Sequence, residues 1–226
     1  MELQGKRILV VGASGVFGAL LVQELLAQGA EVHATASSVE SADRIPLGVT
    51  QRLILNLTDQ TSIDATAAYL NQSYPLDGVI LASGRVGFAQ ADSTSAANLA
   101  ALDQVNYQGP ASLIGQLVTN LTAQPKSFVL AINGVVAEKV FPGMSAYSAS
   151  KTALSVWLST LRLEQRKKGL IVIEARPGHT ETGLAGRALF GVAPAMPQGM
   201  TPESVVERLI AAIDAETPLL ASDDFA

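Results

Sequence analysis

The 226-residue chain is predicted to fold as an α/β protein built on a doubly wound parallel sheet with helices on both faces. Three observations predict it. Short apolar, β-branched runs alternate with helical patterns along the whole chain. The strand runs are continuously apolar, as strands buried on both faces must be. A glycine-rich turn, Gly12-Ala13-Ser14-Gly15-Val16-Phe17-Gly18, separates the first strand from the first helix, where folds of this kind bind ligands. Together they describe a Rossmann-type sheet in one domain spanning residues 1–226.

Arg7–Val11 (Arg-Ile-Leu-Val-Val) reads as the first strand. A helix over 15–28 follows, with Val16, Leu20, Leu21 and Leu25 apolar and Gly29 as its stop. Glu31–Ala36 is the second strand, 53–57 the third and 78–82 the fourth, with a helix over 61–70 between the last two. A longer helical stretch covers 95–121, and Gly109-Pro110 inside it predicts a kink or break. Ser127–Ile132 is the fifth strand. A long helix over 146–168 carries Ala149, Ala153, Leu154, Trp157, Leu158 and Leu161, with Trp157 read as core or subunit interface. Leu170–Ala175 is the sixth strand, 201–215 a last helix with Thr201 as cap and Pro202 at its first position, and 218–222 a short final strand. The segment 183–199 is broken by Gly186, Gly191, Pro194 and Pro197, and is expected to lie over a site at the carboxyl end of the sheet.

Composition removes several function classes. The net charge is -5 and the isoelectric point about 5.0. The longest cationic run, Arg166-Lys167-Lys168 before Gly169, suits the negative end of a helix dipole, so no nucleic-acid partner is expected. There is no cysteine, and His33 and His179 are the only histidines. Disulfides, thiol nucleophiles and Cys- or His-rich metal sites are therefore excluded, and no acidic cluster suggests another metal site. No apolar run approaches the roughly 20 residues of a membrane span, and the start of the chain does not resemble a signal peptide. A cytoplasmic protein with no membrane partner is expected.

In the glycine turn, Gly12, Ser14, Gly15, Val16, Phe17 and Gly18 would bring backbone N–H groups and a helix dipole to bear on a phosphate. The end of the second strand should approach the adenosine ribose. A carboxylate there would select NAD(H), but this chain has Ala36-Ser37-Ser38 and no acid before Glu40. Ser37 and Ser38, with Arg44 the nearest cation, point to NADP(H) rather than NAD(H). Tyr147 and Lys151 are four apart at the start of a helix and share a face. A free tyrosine has a pKa near ~10, and an adjacent ammonium favours its phenolate, as a proton donor to a developing alkoxide requires.

A glycine loop after strand one and Tyr-x-x-x-Lys on the helix after strand five resemble the short-chain dehydrogenase/reductase family. Landmarks between and beyond them match in order: Asn56-Leu57-Thr58-Asp59, Ala82-Ser83-Gly84, Val105-Asn106-Tyr107 and Pro177-Gly178-His179-Thr180-Glu181-Thr182. The resemblance implies that Asn56 and Leu57 border the adenine, and that Ala82, Ser83 and Gly84 line the cofactor groove. It implies that Tyr147 protonates a substrate carbonyl and that Lys151 lowers the Tyr147 pKa and binds the nicotinamide ribose. Asn106 would hold a relay water. Pro177, Gly178 and Thr180 or Thr182 would meet the nicotinamide end or the phosphates. A homodimer or homotetramer is implied as well.

The family's catalytic serine lies thirteen positions before the tyrosine, and Gly134 stands there. Asn133, a backbone N–H or Ser145 could donate to the carbonyl oxygen instead. The expected function is NADP(H)-dependent carbonyl reduction or alcohol oxidation on a small substrate. The alternative is a dinucleotide-binding relative with little or no catalysis, in a regulatory or structural role.

Overall fold

The computed structural model describes residues 1–73 and 75–225. Seven parallel strands form one sheet in the order β3-β2-β1-β4-β5-β6-β7: β1 Arg7–Val11, β2 Glu31–Ala36, β3 Gln51–Ile54, β4 Gly78–Leu81, β5 Ser127–Ile132, β6 Leu170–Ala175 and β7 Leu219–Leu220. Leu9 pairs with His33 of β2 on one side and with Val79 of β4 on the other. The chain therefore runs outward from β1 through β2 to β3, then returns across β1 to lay down β4 through β7. The reversal opens a crevice beyond the carboxyl ends of β1 and β4, where ligands bind in open α/β sheets.

Helices cover both faces because β1, β4 and β5 alternate their buried side chains between two cores. Ile8 and Val10 pack with Leu21 and Leu25 of α1 (Val16–Ala27) and with Leu209 and Ile213 of α7 (Pro202–Ala215). Leu9 and Val11 pack with Ile63 and Leu70 of α3 (Gln60–Ser73), Leu113 and Leu117 of α5 (Gly109–Thr122), and Leu154 and Leu158 of α6 (Ser145–Gln165). Thr201 caps α7 through the Ser204 N–H, as its sequence suggests.

Two elements depart from the sequence pattern. A four-residue helix α2 (Val39–Ala42) follows β2, capped by Ser38. The third strand is Gln51–Ile54 rather than 53–57: β2 ends at Ala36, whose last partner is Ile54, and ladder pairing stops there. Leu55 and Leu57 are buried beneath the turn that follows, so their apolar character serves the core and not a strand.

The helical stretch read as 95–121 is α4 (Ala96–Asp103) and α5 joined by a π turn over Gln104–Gln108. The break falls just before Gly109-Pro110. A Cβ on Gly109 would stand 2.2 Å from the Leu57 carbonyl oxygen, so only glycine lets the helix pass the β3–α3 turn. After α6 the cationic trio Arg166–Lys168 forms a single 3-10 turn closed by Gly169 at φ 77°.

The segment 183–199 is tied down at both ends. Leu189 N–H donates to the Val86 carbonyl, and Phe88 N–H to the Phe190 carbonyl. Thr180 and Met200 form a bridge at its base. No described helix is long and apolar enough to cross a membrane.

Candidate functional site

The glycine turn is pressed against the end of β4. Gly12 holds φ 83°, and a Cβ on it would sit 3.0 Å from Ser83 Cα and N. Thr35 secures the turn from β2: its hydroxyl accepts from Gly12 N–H at 3.2 Å and its carbonyl from Ala13 N–H at 2.8 Å. A Cβ on Gly18 would stand 2.2 Å from the Gly12 carbonyl oxygen, which makes glycine obligatory in the first turn of α1. The N-cap of α1 is Gly15, which offers no capping side chain, and its first turn holds no acidic residue. Its leading N–H groups and positive dipole end therefore face outward without a partner from a side chain, an arrangement suited to a phosphate.

At the end of β2 the two serines differ. Ser37 is exposed. The Ser38 hydroxyl accepts from Ser41 N–H at 3.2 Å within a capping box, so the expectation that it reaches the ribose phosphate is corrected: it caps α2. Arg44 reaches back across this turn, with Nε 3.4 Å from the Ser14 carbonyl oxygen. The Leu57 side chain lies in the core, and its carbonyl accepts from Gln104 Nε2 at 3.4 Å. Asn56 closes its own turn by accepting from Thr58 N–H at 3.0 Å.

Ala82, Ser83 and Gly84 continue β4 into the crevice, and the Ser83 hydroxyl is buried without a partner. A Cβ on Gly84 would lie 3.4 Å from Lys151 Nζ and 3.5 Å from Asn106 Oδ1, so this glycine stands against the polar centre of the site. Asn106 sits on the π turn and is 1% exposed. Its Oδ1 accepts from Arg85 N–H, and its Nδ2 donates to the Arg85 carbonyl at 2.9 Å and to Ser150 Oγ at 3.0 Å. Both amide hydrogens are engaged, which leaves a water only the second lone pair of Oδ1.

Tyr147 and Lys151 occupy the first two turns of α6, with Lys151 fully buried and Tyr147 half-buried. Ser150 Oγ donates to the Tyr147 carbonyl at 2.8 Å, and Lys151 Nζ donates to the Ile132 carbonyl at 3.2 Å. Burial around the phenol pushes the Tyr147 pKa up to about 12. Burial lowers the Lys151 pKa to about 8, while the charge of Glu174 works against that fall. Burial alone sets the direction of the Tyr147 shift, without the expected depression by Lys151, and Tyr147 is a protonated acid at neutral pH.

Asn133 ends β5. Its Nδ2 donates to the Lys151 carbonyl at 2.9 Å and to Glu174 Oε1 at 2.7 Å. With both hydrogens engaged it has no donor for a substrate carbonyl, which corrects that expectation. The neighbouring N–H groups are engaged too: Gly134 N–H donates to the Ala175 carbonyl at 3.3 Å and Val135 N–H to the Pro177 carbonyl at 2.9 Å. Ser145 lines an apolar groove on the outer face of α6 with Val140, Val156 and Trp157. Gly134 itself holds φ 114° and ψ 158°, a backbone conformation that a serine rarely adopts.

The Pro177–Gly178 segment lies beside Gly134, and a Cβ there would stand 3.8 Å from the Pro177 carbonyl oxygen. Thr180 is buried with its hydroxyl on the Gly178 carbonyl at 3.1 Å; Thr182 Oγ1 accepts from Leu184 N–H at 3.3 Å at the root of the 183–199 segment. The structure thus brings Gly12, Ser83, Gly84, Asn106 and Lys151 together at the end of β4, with Tyr147 one helical turn before Lys151 and Asn133 behind it.

Glu174 and Arg176 were missed by sequence reasoning. Glu174 is 1% exposed and accepts from Arg176 Nε at 2.9 Å, Arg176 Nη2 at 3.1 Å and Ser155 Oγ at 3.1 Å, besides Asn133. The signal was present: one carboxylate inside the otherwise apolar run Leu-Ile-Val-Ile-Glu-Ala must find partners.

The family model described as short chain dehydrogenase matches residues 6–189. Glycine betaine reductase ATRR of Emericella nidulans is 28% identical over 93% of this chain, which spans 18% of that relative's length. A short chain dehydrogenase from Burkholderia cenocepacia in complex with NADP superposes with a TM-score of 0.86 at 20% identity, covering 98% of this chain and 90% of that one. One from Burkholderia phymatum in complex with NAD gives the same TM-score at 17% identity, with the same coverage. Both likenesses are of fold.

Proposed function

Because the chain belongs to the short-chain dehydrogenase/reductase family, we propose that it is an NADP(H)-dependent oxidoreductase of the carbonyl reductase or alcohol dehydrogenase type, acting on a small carbonyl or alcohol. The observation that carries this reading is Tyr147 one helical turn before the buried Lys151, whose Nζ stands with Asn106 against Gly84 at the end of β4. The residues present fit a dinucleotide: α1 has an uncapped N-terminus, the Ser83 hydroxyl is buried without a partner, and Gly84 clears a path to Lys151.

Gly12 to Gly18 would hold the phosphates against α1, and Asn56 would border the adenine. Ser83, Gly84, Pro177, Gly178, Thr180 and Thr182 would line the nicotinamide half. Bound there, the nicotinamide supplies or takes up hydride. Tyr147 gives its proton to the carbonyl oxygen during reduction. Lys151 stabilises the phenolate left behind and donates to ribose hydroxyls. Ser37 and Arg44 favour a 2′-phosphate, with no acid at the end of β2 to repel it. Since Asn133 and the adjacent N–H groups are engaged, Tyr147 is the donor to the carbonyl oxygen, and loss of a second donor costs on the order of 10²–10³ in rate.

The φ of Gly134 favours a second reading, a dinucleotide-binding protein with little catalysis. Oxidation of NADPH against a panel of ketones and aldehydes separates the two. Turnover that Tyr147→Phe abolishes, with NADPH binding retained, supports the oxidoreductase; tight binding with no turnover across the panel supports the second reading. The apolar groove on α6, where Val156 is 62% exposed, is the surface on which a second copy would pair, and Val156→Asp is expected to convert an oligomer to monomer in sedimentation.

A further inference from the structure

The proposed chemistry leaves one buried array unexplained. Glu174 projects from the interior of β6, between β5 and β7, where an apolar side chain would suffice for packing. Its two oxygens take four hydrogen bonds, two of them from Arg176, whose Nη2 also donates to Ser155 Oγ at 2.8 Å. Burial works to raise the Glu174 pKa, but the bonds from Arg176, Asn133 and Ser155 outweigh it and hold the carboxyl below its ordinary value. Glu174 is therefore an ionised carboxylate inside the sheet. Asn133 couples it to α6 at one position, the Lys151 carbonyl.

We infer that Asn133, Glu174 and Arg176 form a positioning device for Lys151: Asn133 fixes the turn of α6 that carries it, and through Asn133 the Glu174 carboxylate is tied to that same turn. This deepens the proposed function, since it rests on Lys151 acting there as a cation. The geometry has a division of labour. Lys151 Nζ is held forward by the Ile132 carbonyl and its backbone is held behind by Asn133, so the side chain spans from the array to Gly84. Arg176 neutralises Glu174 enough for the carboxylate to stay ionised in a dry setting, and Glu138 lies 3.5 Å from its far side.

The ionisable groups around this centre are few. Tyr147 lies on the same helix. Glu174 comes from β6, Arg176 from just past its end, and Glu138 from the turn after β5. Arg162 lies further along α6, where it donates to the Val172 and Pro218 carbonyls. Among them Glu174 is the one whose charge raises the Lys151 pKa against burial.

The test follows the Cε resonance of Lys151 by ¹³C NMR in the full chain without cofactor, assigned by its loss in Lys151→Met. The wild-type midpoint is expected near 8. In Glu174→Gln, which keeps shape and removes charge, it should fall by about 1 pH unit or more, and in Glu174→Asp it should return to within a few tenths (roughly) of wild type. An unchanged midpoint in Glu174→Gln overturns the inference. Should that variant not fold because Arg176 is left unmatched, the double variant Glu174→Gln/Arg176→Gln is read against Arg176→Gln, so that only the Glu174 charge differs, and a fall or its absence decides. The readout needs no turnover. A shifted midpoint in a protein that reduces no carbonyl would sink the oxidoreductase reading alone, whereas turnover with no shift would sink only this inference.

Discussion

Asn106 grips both main-chain polar groups of Arg85: its Oδ1 accepts the Arg85 N–H at 2.9 Å, and its Nδ2 donates to the Arg85 carbonyl at 2.9 Å. A side chain on a π turn thereby mimics a strand partner for the segment leaving β4. Asn106→Ala would take the side-chain partner from the partly buried Arg85 N–H and carbonyl, and one of its two hydrogen bonds from Ser150 Oγ. The expected cost is about 1–3 kcal/mol, or a melting point lower by roughly 2–10 °C in a chain of this size, measured by thermal scanning. A melting point within 1 °C (roughly) of wild type would show that the clasp contributes nothing.

Introducing the family's serine should not raise activity. Gly134 has space for a Cβ, whose nearest neighbour would be 3.8 Å away, but its φ of 114° lies where serine is strained. Gly134→Ser is expected to destabilise by about 1–3 kcal/mol with no gain in kcat/KM. A gain in rate at unchanged stability would mean that the backbone relaxes freely there.

Lys151→Met should separate stability from function. The folded-state pKa of Lys151 is depressed from 10.5 to about 8, so below pH 8 the folded chain bears the full cost of a buried cation. Between the two values the folded state gives up its proton first, and stability rises with pH. Methionine removes that cost. At pH 7 the variant is expected to be more stable by on the order of 1–3 kcal/mol, less the lost bond to Ile132, and the advantage should shrink toward pH 10 in urea titrations. Turnover should be lost throughout.

Arg44→Ala tests the choice of dinucleotide. If Arg44 meets a 2′-phosphate, the substitution weakens NADPH by about 10-fold or more, leaves NADH unchanged and flattens the salt dependence of NADPH binding in fluorescence titrations. Equal loss of both cofactors would instead assign Arg44 to shaping the glycine turn through Ser14.

The strands and the order of the long helices were legible because period and punctuation are local properties. Leu9 and Val11, or Tyr147 and Lys151, announce themselves by spacing. What was not legible depended on hydrogen-bond partners far away in the chain. Ser38 looked like a phosphate ligand until Ser41 claimed its hydroxyl, and Asn133 looked like a donor until Lys151 and Glu174 took both its hydrogens. Leu57 looked like a strand residue because a buried turn and a buried strand demand the same side chains. The four-residue α2 is too short for any periodicity to reveal.

The clasps that build the crevice also set the order in which the molecule can mature. Asn106 meets Ser150 across 44 residues and Asn133 meets Glu174 across 41, while Asp77, at the entrance to β4, meets Lys6 across 71. None of these can close until the segments between them have collapsed into a parallel sheet, the slowest kind of pairing to nucleate. Local helices can come and go long before that. Competence to hold a dinucleotide is therefore a late arrival during refolding, and its return marks the finished chain more faithfully than the recovery of helical signal.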